Sequence, residues 1–234
     1  MKKFGILGTG VVGQTLAGKL AGNGYAVMLG SRNIDQTLSR NEKDSFGRPP
    51  FREWHKQNPR VKLGSFAEAA AFGELIINAT NGQGSLEALR LAKKENLAGK
   101  TLLDISNPLD FSNGMPPTLT VCNHDSLAEQ IQREFPQAKV VKSLNTMNAW
   151  VMVNPAKVPG DHNVFISGNV NAAKDEVKSL LTGLNWKPEN IIDLGDISTS
   201  RGAEMILPLW VRLLNTLQNP SFNFYISVGS PPAM

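Results

Sequence analysis

The stretch Lys3-Phe4-Gly5-Ile6-Leu7-Gly8-Thr9-Gly10-Val11-Val12-Gly13, near the start of the 234-residue chain, decides the fold. Residues 3–7 form a short apolar run that reads as a strand, and residues 11–21 then take up helical periodicity. Val12, Leu16 and Leu20 fall along one helical face, and Gly22-Asn23-Gly24 supplies residues that tolerate the left-handed turn ending a helix. A second apolar run over 25–29 completes a βαβ unit. Gly8, Gly10 and Gly13, with Thr9, Val11 and Val12 between them, fit G-x-G-x-x-G directly between strand and helix. In that setting the first glycine permits the tight turn, the second lets a pyrophosphate approach the main chain, and the third lets helix and strand pack closely. The unpaired amides and the dipole at the helix start then favour a doubly charged phosphate bridge. The plainer alternative is a structural turn in a βαβ unit.

Twenty residues on, the second strand ends in Gly30-Ser31-Arg32, where an NAD-binding chain would carry an Asp or Glu for the ribose hydroxyls. A carboxylate there would repel a 2′-phosphate; the Ser31 hydroxyl can donate to one and the Arg32 guanidinium can pair with it through two charged hydrogen bonds. The cofactor expected is therefore NADP(H). The competing reading of Arg32 is an ordinary solvated charge.

Outward from this unit the alternation continues. Strands are expected over 61–63, 75–79, 101–105, 139–143, 163–167 and 191–194, with helices over 65–72, 86–94, 126–135, 172–184 and 200–217. Serine opens the helix at 65, and Asp125 or Ser126 caps the one after it in that list's third place. Residues 32–60 form a long polar excursion with one short helix, to which no task is assigned. Many short strands separated by helices require crossover connections. The expected fold class is α/β, a Rossmann-type doubly wound and mainly parallel sheet with a C-terminal helical extension. Residues 1–197 are read as the NADP-binding domain and 198–234 as a helix and tail packed on the same body.

Ligands in such sheets settle beyond the carboxyl ends of the strands. The candidates there are Ala79 and Thr80, then Asn107, then Asn145, Met147 and Ala149, whose small or amide side chains can lie along a ribose or a carboxamide. Each amide can equally be a turn former or helix cap. Lys142 could act as an acid, fix a carboxamide, or serve at the surface or in the structure. His55, His124 and His162 are scattered, and no metal site or catalytic triad is read. Cys122, next to Asn123 and His124, is not read as a nucleophile. No catalytic acid or base is assigned.

Composition narrows the rest. Hydrophobic residues at 41% and charged residues at 19% make a globular chain rather than a disordered one. A net charge of +4 suits anionic small ligands but falls short of a duplex-binding surface, so no nucleic-acid partner is expected. One cysteine fits a reducing compartment. Glycines interrupt the apolar start too often for a secretion signal, and residues 205–214 are too short to span a bilayer. A cytoplasmic protein with no membrane partner is expected, and a homodimer through the last helix is possible.

Taken together, Ile6-Leu7-Gly8-Thr9-Gly10 with Gly13, Gly30-Ser31-Arg32, Lys142-Ser143-Leu144-Asn145-Thr146 and Arg201-Gly202-Ala203-Glu204 resemble the family of NADPH-dependent reductases of coenzyme F420, a 5-deazaflavin. That family also includes the cytoplasmic domain of membrane ferric reductases. The resemblance implies direct hydride transfer between nicotinamide and a stacked flavin-like ring, with Met147 and Ala149 lining the gap between them. Leu209 and the tail around Phe222 are similar to segments closing over the deazaflavin, core or dimer packing being the alternative. The chain departs from the small deazaflavin enzymes in its long excursion and in carrying Asn145 where some have His. The second redox partner is thus left open among the deazaflavin, a flavin and another small acceptor. A non-catalytic NADP(H) sensor and an imine or carbonyl reductase are the competing functions. Arg32→Glu should weaken NADPH binding on the order of a hundredfold and NADH binding far less; equal losses in parallel titrations would remove the 2′-phosphate assignment.

Overall fold

The computed structural model describes residues 2–43 and 47–230. Residues 44–46 of the excursion and 231–234 of the tail lie outside the described residues. In chain order the strands and helices are β1 (Lys3–Leu7), α1 (Val11–Gly22), β2 (Ala26–Ser31), α2 (Ile34–Ser39), α3 (Phe51–Gln57), β3 (Val61–Ser65), α4 (Phe66–Phe72), β4 (Leu75–Asn78), α5 (Ser85–Ala92), α6 (Lys94–Leu97) and β5 (Thr101–Asp104). They continue with β6 (Leu109–Asp110), β7 (Thr118–Leu119), α7 (Leu127–Glu134), β8 (Lys139–Ser143), α8 (Ala149–Val153), β9 (Val164–Gly168), α9 (Asn171–Gly183), β10 (Ile191–Gly195), α10 (Ser200–Met205) and α11 (Leu207–Leu217).

Eight strands make one sheet in the order β10-β9-β8-β5-β4-β1-β2-β3, while β6 and β7 form a separate antiparallel hairpin. The Rossmann-type α/β fold is the fold observed, with strand order reversing between β1 and β4. Strand residues alternate between two cores because successive side chains leave opposite faces. Ile6, Ile77, Leu103 and Val141 face α1, α8 and α9 through Leu16, Leu20, Val151, Val177 and Leu181. Leu7, Ile76, Leu102 and Val140 face α4, α5 and α7 through Phe66, Leu89 and Ile131. Helices cover both faces, which is why these strands read as continuous apolar runs instead of alternating ones.

The structure corrects four details. β9 runs antiparallel to β8. The connection 144–163 holds only α8 and one 3₁₀ turn; about 7.5 Å of helix does not return the chain past a strand of about 17 Å. Among its described residues the excursion carries two helices, α2 and α3, and Phe51 and Trp54 of α3 pack into the core beside α1. The helix expected over 86–94 stops at Lys93, which adopts φ 68° and separates α5 from α6. The last helix is broken at Ile206, because Pro208 in the first turn of α11 has no N–H with which to continue α10.

Two caps follow the sequence closely. Ser65 and Glu68 form a reciprocal capping box on α4, and Ser126, rather than Asp125, caps α7 by accepting from the Glu129 amide at 3.1 Å. Asp125 instead receives two hydrogen bonds from the Arg133 guanidinium, at 2.9 and 2.7 Å, in the last turn of α7. Those bonds outweigh burial and hold its carboxyl at about 2, below its ordinary 3.8. A depressed carboxyl contributes stability that is fully present above its unfolded value and lost as pH falls through the folded one. Asp125→Asn should therefore flatten the loss of thermal stability between about pH 4 and pH 2. An unchanged slope in calorimetry across that window would count against the clasp.

Candidate functional site

The glycine loop sits at the reversal of strand order, where β1 and β4 diverge. Gly8 adopts φ +118°, and a Cβ there would lie 2.6 Å from the Ala79 carbonyl oxygen, so the loops after β1 and β4 touch main chain to main chain. A Cβ on Gly13 would stand 2.0 Å from the Gly8 carbonyl oxygen, which closes the helix onto its strand. Gly10 differs from both: a Cβ there would meet no atom within 4 Å. Its missing side chain therefore leaves open space at the helix start, where no side chain caps α1. The first amides of a helix have no carbonyl one turn earlier, so they are directed at this space. Gln14 steadies the loop by donating its side-chain amide to the Thr9 carbonyl at 2.8 Å. A backbone anion site of this form fits the pyrophosphate of a dinucleotide.

Ser31 at the end of β2 and Arg32 after it differ in readiness. The Ser31 hydroxyl is buried, donates to the Asn33 carbonyl at 3.0 Å and lies 2.7 Å from the Thr37 hydroxyl. Arg32 is exposed and reaches across to Glu87 of α5 at 3.3 Å, passing beside Gly84. A solvent-exposed pair of that kind is weak and exchanges readily for a stronger anion.

Further along, the loops after β4, β5 and β8 bring together the remaining expected residues. Ala79 donates its amide to the Leu7 carbonyl at 2.9 Å, which ties β4 to β1. Asn107 and Asn145 are spent on one another. Asn107 donates to the Asn145 carbonyl and Asn145 donates to the Asn107 side-chain oxygen, both at 2.9 Å. The second Asn145 proton goes to the Ala203 carbonyl of α10, also at 2.9 Å. Their side chains thus clamp the loops after β5 and β8 to each other and to α10. Leu144 turns the chain out of β8 with φ 61°, a conformation unusual for a leucine and one that sets Asn145 against Asn107. Met147 and Ala149 follow at the start of α8 and are mostly buried, with Asn148 capping that helix.

Beneath these loops runs a row of polar side chains that the sequence reading largely missed. Asn78, Asp104 and Lys142 are direct partners across β4, β5 and β8. All three are buried, as is Glu204 of α10. Lys142 Nζ lies 2.8 Å from Asp104 Oδ2 and 2.8 Å from Glu204 Oε1, and also donates to the Ser106 carbonyl. Burial alone would push this ammonium down, but the two carboxylates outweigh it and hold it above the ordinary lysine range. The surface reading of Lys142 is thereby excluded. Asp104 Oδ1 accepts from Asn78, and Asn78 Oδ1 accepts the Thr80 hydroxyl at 2.6 Å. Glu204 accepts the amides of Leu127 and Ala128 at the start of α7, at 2.8 and 3.1 Å. Arg201 of α10 forks onto Glu129, at 2.9 and 2.6 Å. A sequence signal existed: Asp104 is the one charge of the otherwise apolar β5, and Lys142 directly follows Val140-Val141 on β8.

A cleft of about 800 Å³ lies between the glycine loop and the excursion, with Thr9, Gly10, Val11 and Gln14 on one wall and Thr37, Arg40, Arg48 and Phe51 among those on the other. Arg48 also lies over the Trp150 ring of α8, 5.7 Å from its centre. The excursion is therefore a wall of the cleft. Among the described residues no cluster of metal-ligating side chains is present. His55 and His162 bond to backbone carbonyls of Val61 and Pro155. No helix of the described residues is long and apolar enough to cross a membrane.

These contacts separate binding from folding. Gly10→Ala should leave thermal stability nearly unchanged while weakening coenzyme binding at least tenfold, because its Cβ fills only the space a phosphate needs. Gly13→Ala should lower the melting temperature, since its Cβ collides with backbone. Scanning calorimetry and coenzyme titration of both variants check this; a Gly10→Ala protein binding like the parent contradicts it.

The comparisons with known proteins agree with this geometry. The family model described as NADP oxidoreductase coenzyme F420-dependent matches residues 3–108. A solved structure assigned as an F420-dependent NADP reductase from Arthrobacter sp. FB24 is 55% identical, covers 97% of this chain and 100% of its own, and superposes with a TM-score of 0.92. The F420-dependent NADP reductase of Methanothermobacter marburgensis is 28% identical over 215 residues, 90% of this chain and 92% of its own. Rat metalloreductase STEAP3 is 30% identical over 212 residues, 89% of this chain, but the match spans only 38% of that longer protein. The chain belongs to the family of coenzyme F420-dependent NADP oxidoreductases.

Proposed function

We propose that this chain is an NADP(H)-dependent oxidoreductase that moves a hydride between nicotinamide and a planar deazaflavin or flavin-type ring. The observation that carries the reading is the contrast between the two ends of the row of loops that follow β1, β4, β5 and β8. At one end, bare backbone amides at the start of α1 face open space beside Gly10. At the other, the ionisable groups Lys142, Asp104 and Glu204 are consumed by one another beneath the floor. A reductase acting on a carbonyl must deliver a proton as well as a hydride, whereas hydride exchange between two rings depends chiefly on holding them face to face.

In this reading Gly8 to Gly13 hold the pyrophosphate through main-chain amides, and Thr9, Val11 and Val12 shape the approach. Arg32 leaves Glu87 for the 2′-phosphate, with the Ser31 hydroxyl beside it. Ala79 and Thr80 border the nicotinamide ribose. Asn107 and Asn145 fix the loops around the nicotinamide, and Met147 and Ala149 set the spacing to the partner ring. When bound, the coenzyme supplies the hydride itself; the protein supplies orientation, charge and exclusion of water. The F420 named for the Methanothermobacter and Arthrobacter relatives makes the deazaflavin the first partner to test.

We further place the protein in the cytoplasm, where its one exposed cysteine, Cys122, stays reduced. A second copy of the chain is the partner proposed for the exposed Met205 and Leu209 on its last helices.

Mixing the protein with NADPH and, separately, coenzyme F420, a flavin, and a panel of imines and carbonyls, while following nicotinamide absorbance, tests the assignment. Turnover with F420 or flavin alone is the expected result. Tight NADPH binding with no acceptor turned over would favour a sensor, and turnover of imine or carbonyl without any flavin-like ring would favour the small-substrate reductase. A monomer mass by sedimentation would contradict the homodimer.

A further inference from the structure

One lysine serves two carboxylates in the buried row, so Asp104, Lys142 and Glu204 together carry one formal negative charge in excess. Burying such a group is costly, and apolar side chains of similar volume would hold α10 to the sheet at least as well. The cluster therefore invites a role beyond packing. Arg201 and Glu129 beside it neutralise each other. The α7 amides offset part of the charge on Glu204. Apart from the shared Lys142, Asp104 meets only neutral donors, Asn78 and Ser106.

Its position is as informative as its charge. Asn78 and Asp104 close β4 and β5, and Lys142 is their neighbour on β8, immediately below the loops that carry Thr80, Asn107 and Asn145. A continuous chain of hydrogen bonds leads from Asp104 through Asn78 to the half-buried Thr80 hydroxyl, whose proton is committed inward. In this low-dielectric floor a unit charge is screened far less than in water.

We propose that the excess negative charge of the Asp104–Lys142–Glu204 cluster sets the relative affinity of this protein for the two redox states of its coenzyme, favouring NADP⁺ over NADPH. The inference rests on the NADP(H) reading above and adds the thermodynamic bias of the same site. When a hydride, two electrons and one proton, leaves the nicotinamide for the partner ring, the nicotinamide gains a positive charge and the partner ring is reduced. A negative floor beneath the nicotinamide favours that charged product. None of the three residues touches the ring; they act as positioning residues, through the field.

The test is the ratio of dissociation constants, Kd(NADP⁺)/Kd(NADPH), measured by calorimetry and by nicotinamide fluorescence on the full chain. Glu204→Gln and Asp104→Asn each remove the excess charge. A unit charge about 10 Å away at an effective dielectric of about 20 shifts such a ratio roughly tenfold, so the ratio should rise by about that factor in each variant. Glu204→Asp keeps the charge and should stay within about twofold of the parent, even if the fold is less stable. Two neutralised variants serve so that the loss of one to misfolding leaves the other to decide. A ratio unchanged in the neutral variants, or shifted as far by Glu204→Asp as by Glu204→Gln, overturns the inference and leaves the NADP(H) reading standing. Failure of the unaltered protein to bind either coenzyme overturns that reading, and this inference with it.

Discussion

Lys142 Nζ is held 2.8 Å from each of two carboxylates, one at the end of β5 and one on α10, with essentially no solvent contact. The placing of the loops after β5 and β8 depends on this arrangement. Removing one partner of a buried ion pair leaves a charge without compensation and costs about 3–5 kcal/mol, so the three residues hold each other in place. Glu204 extends the hold to α7 through two backbone amides, and Arg201, one turn earlier on α10, adds a fork onto Glu129. With α10 fixed, the Ala203 carbonyl is in place to accept from Asn145, and Asn145 in turn closes on Asn107. Loops after two strands are thereby set by a contact made beneath them.

The two ends of this row of loops are built on opposite principles. The glycine loop relies on missing side chains: Gly8 and Gly13 allow main chain to meet main chain, and Gly10 leaves open space at the helix start. The field there comes from backbone amides and the helix dipole, which need no titrating group. The other end relies on charges that are present but enclosed, and they hold the loops above them rigid.

The glycine loop was legible in the sequence because a strand, a glycine-spaced turn and a helix occur contiguously and leave a short-range pattern. Strand positions were equally plain, since sheets covered on both faces require apolar runs. The charged floor was obscure for a physical reason: Asp104, Lys142 and Glu204 are far apart in the chain, and a single charge at a strand end looks like a solvated one until its partners are placed. Asn107 and Asn145 stood out in the sequence as amides beyond strand ends, but their mutual pairing is a tertiary contact without local spacing. Residues 32–60 had no task legible in the sequence, and only the packing of Phe51 and Trp54 beside α1 explains why the excursion is anchored as a wall. The reversed direction of β9 was hidden because strand polarity depends on the length of the connecting helix and not on strand composition.

The most direct test of the central claim is a crystal structure of this protein grown with NADP⁺. The account expects the pyrophosphate against the α1 amides beside Gly10, the 2′-phosphate within hydrogen-bonding reach of Arg32, and the nicotinamide above an unchanged Asp104–Lys142–Glu204 cluster. A coenzyme bound elsewhere, or one whose nicotinamide lies away from the ends of β4, β5 and β8, would contradict it.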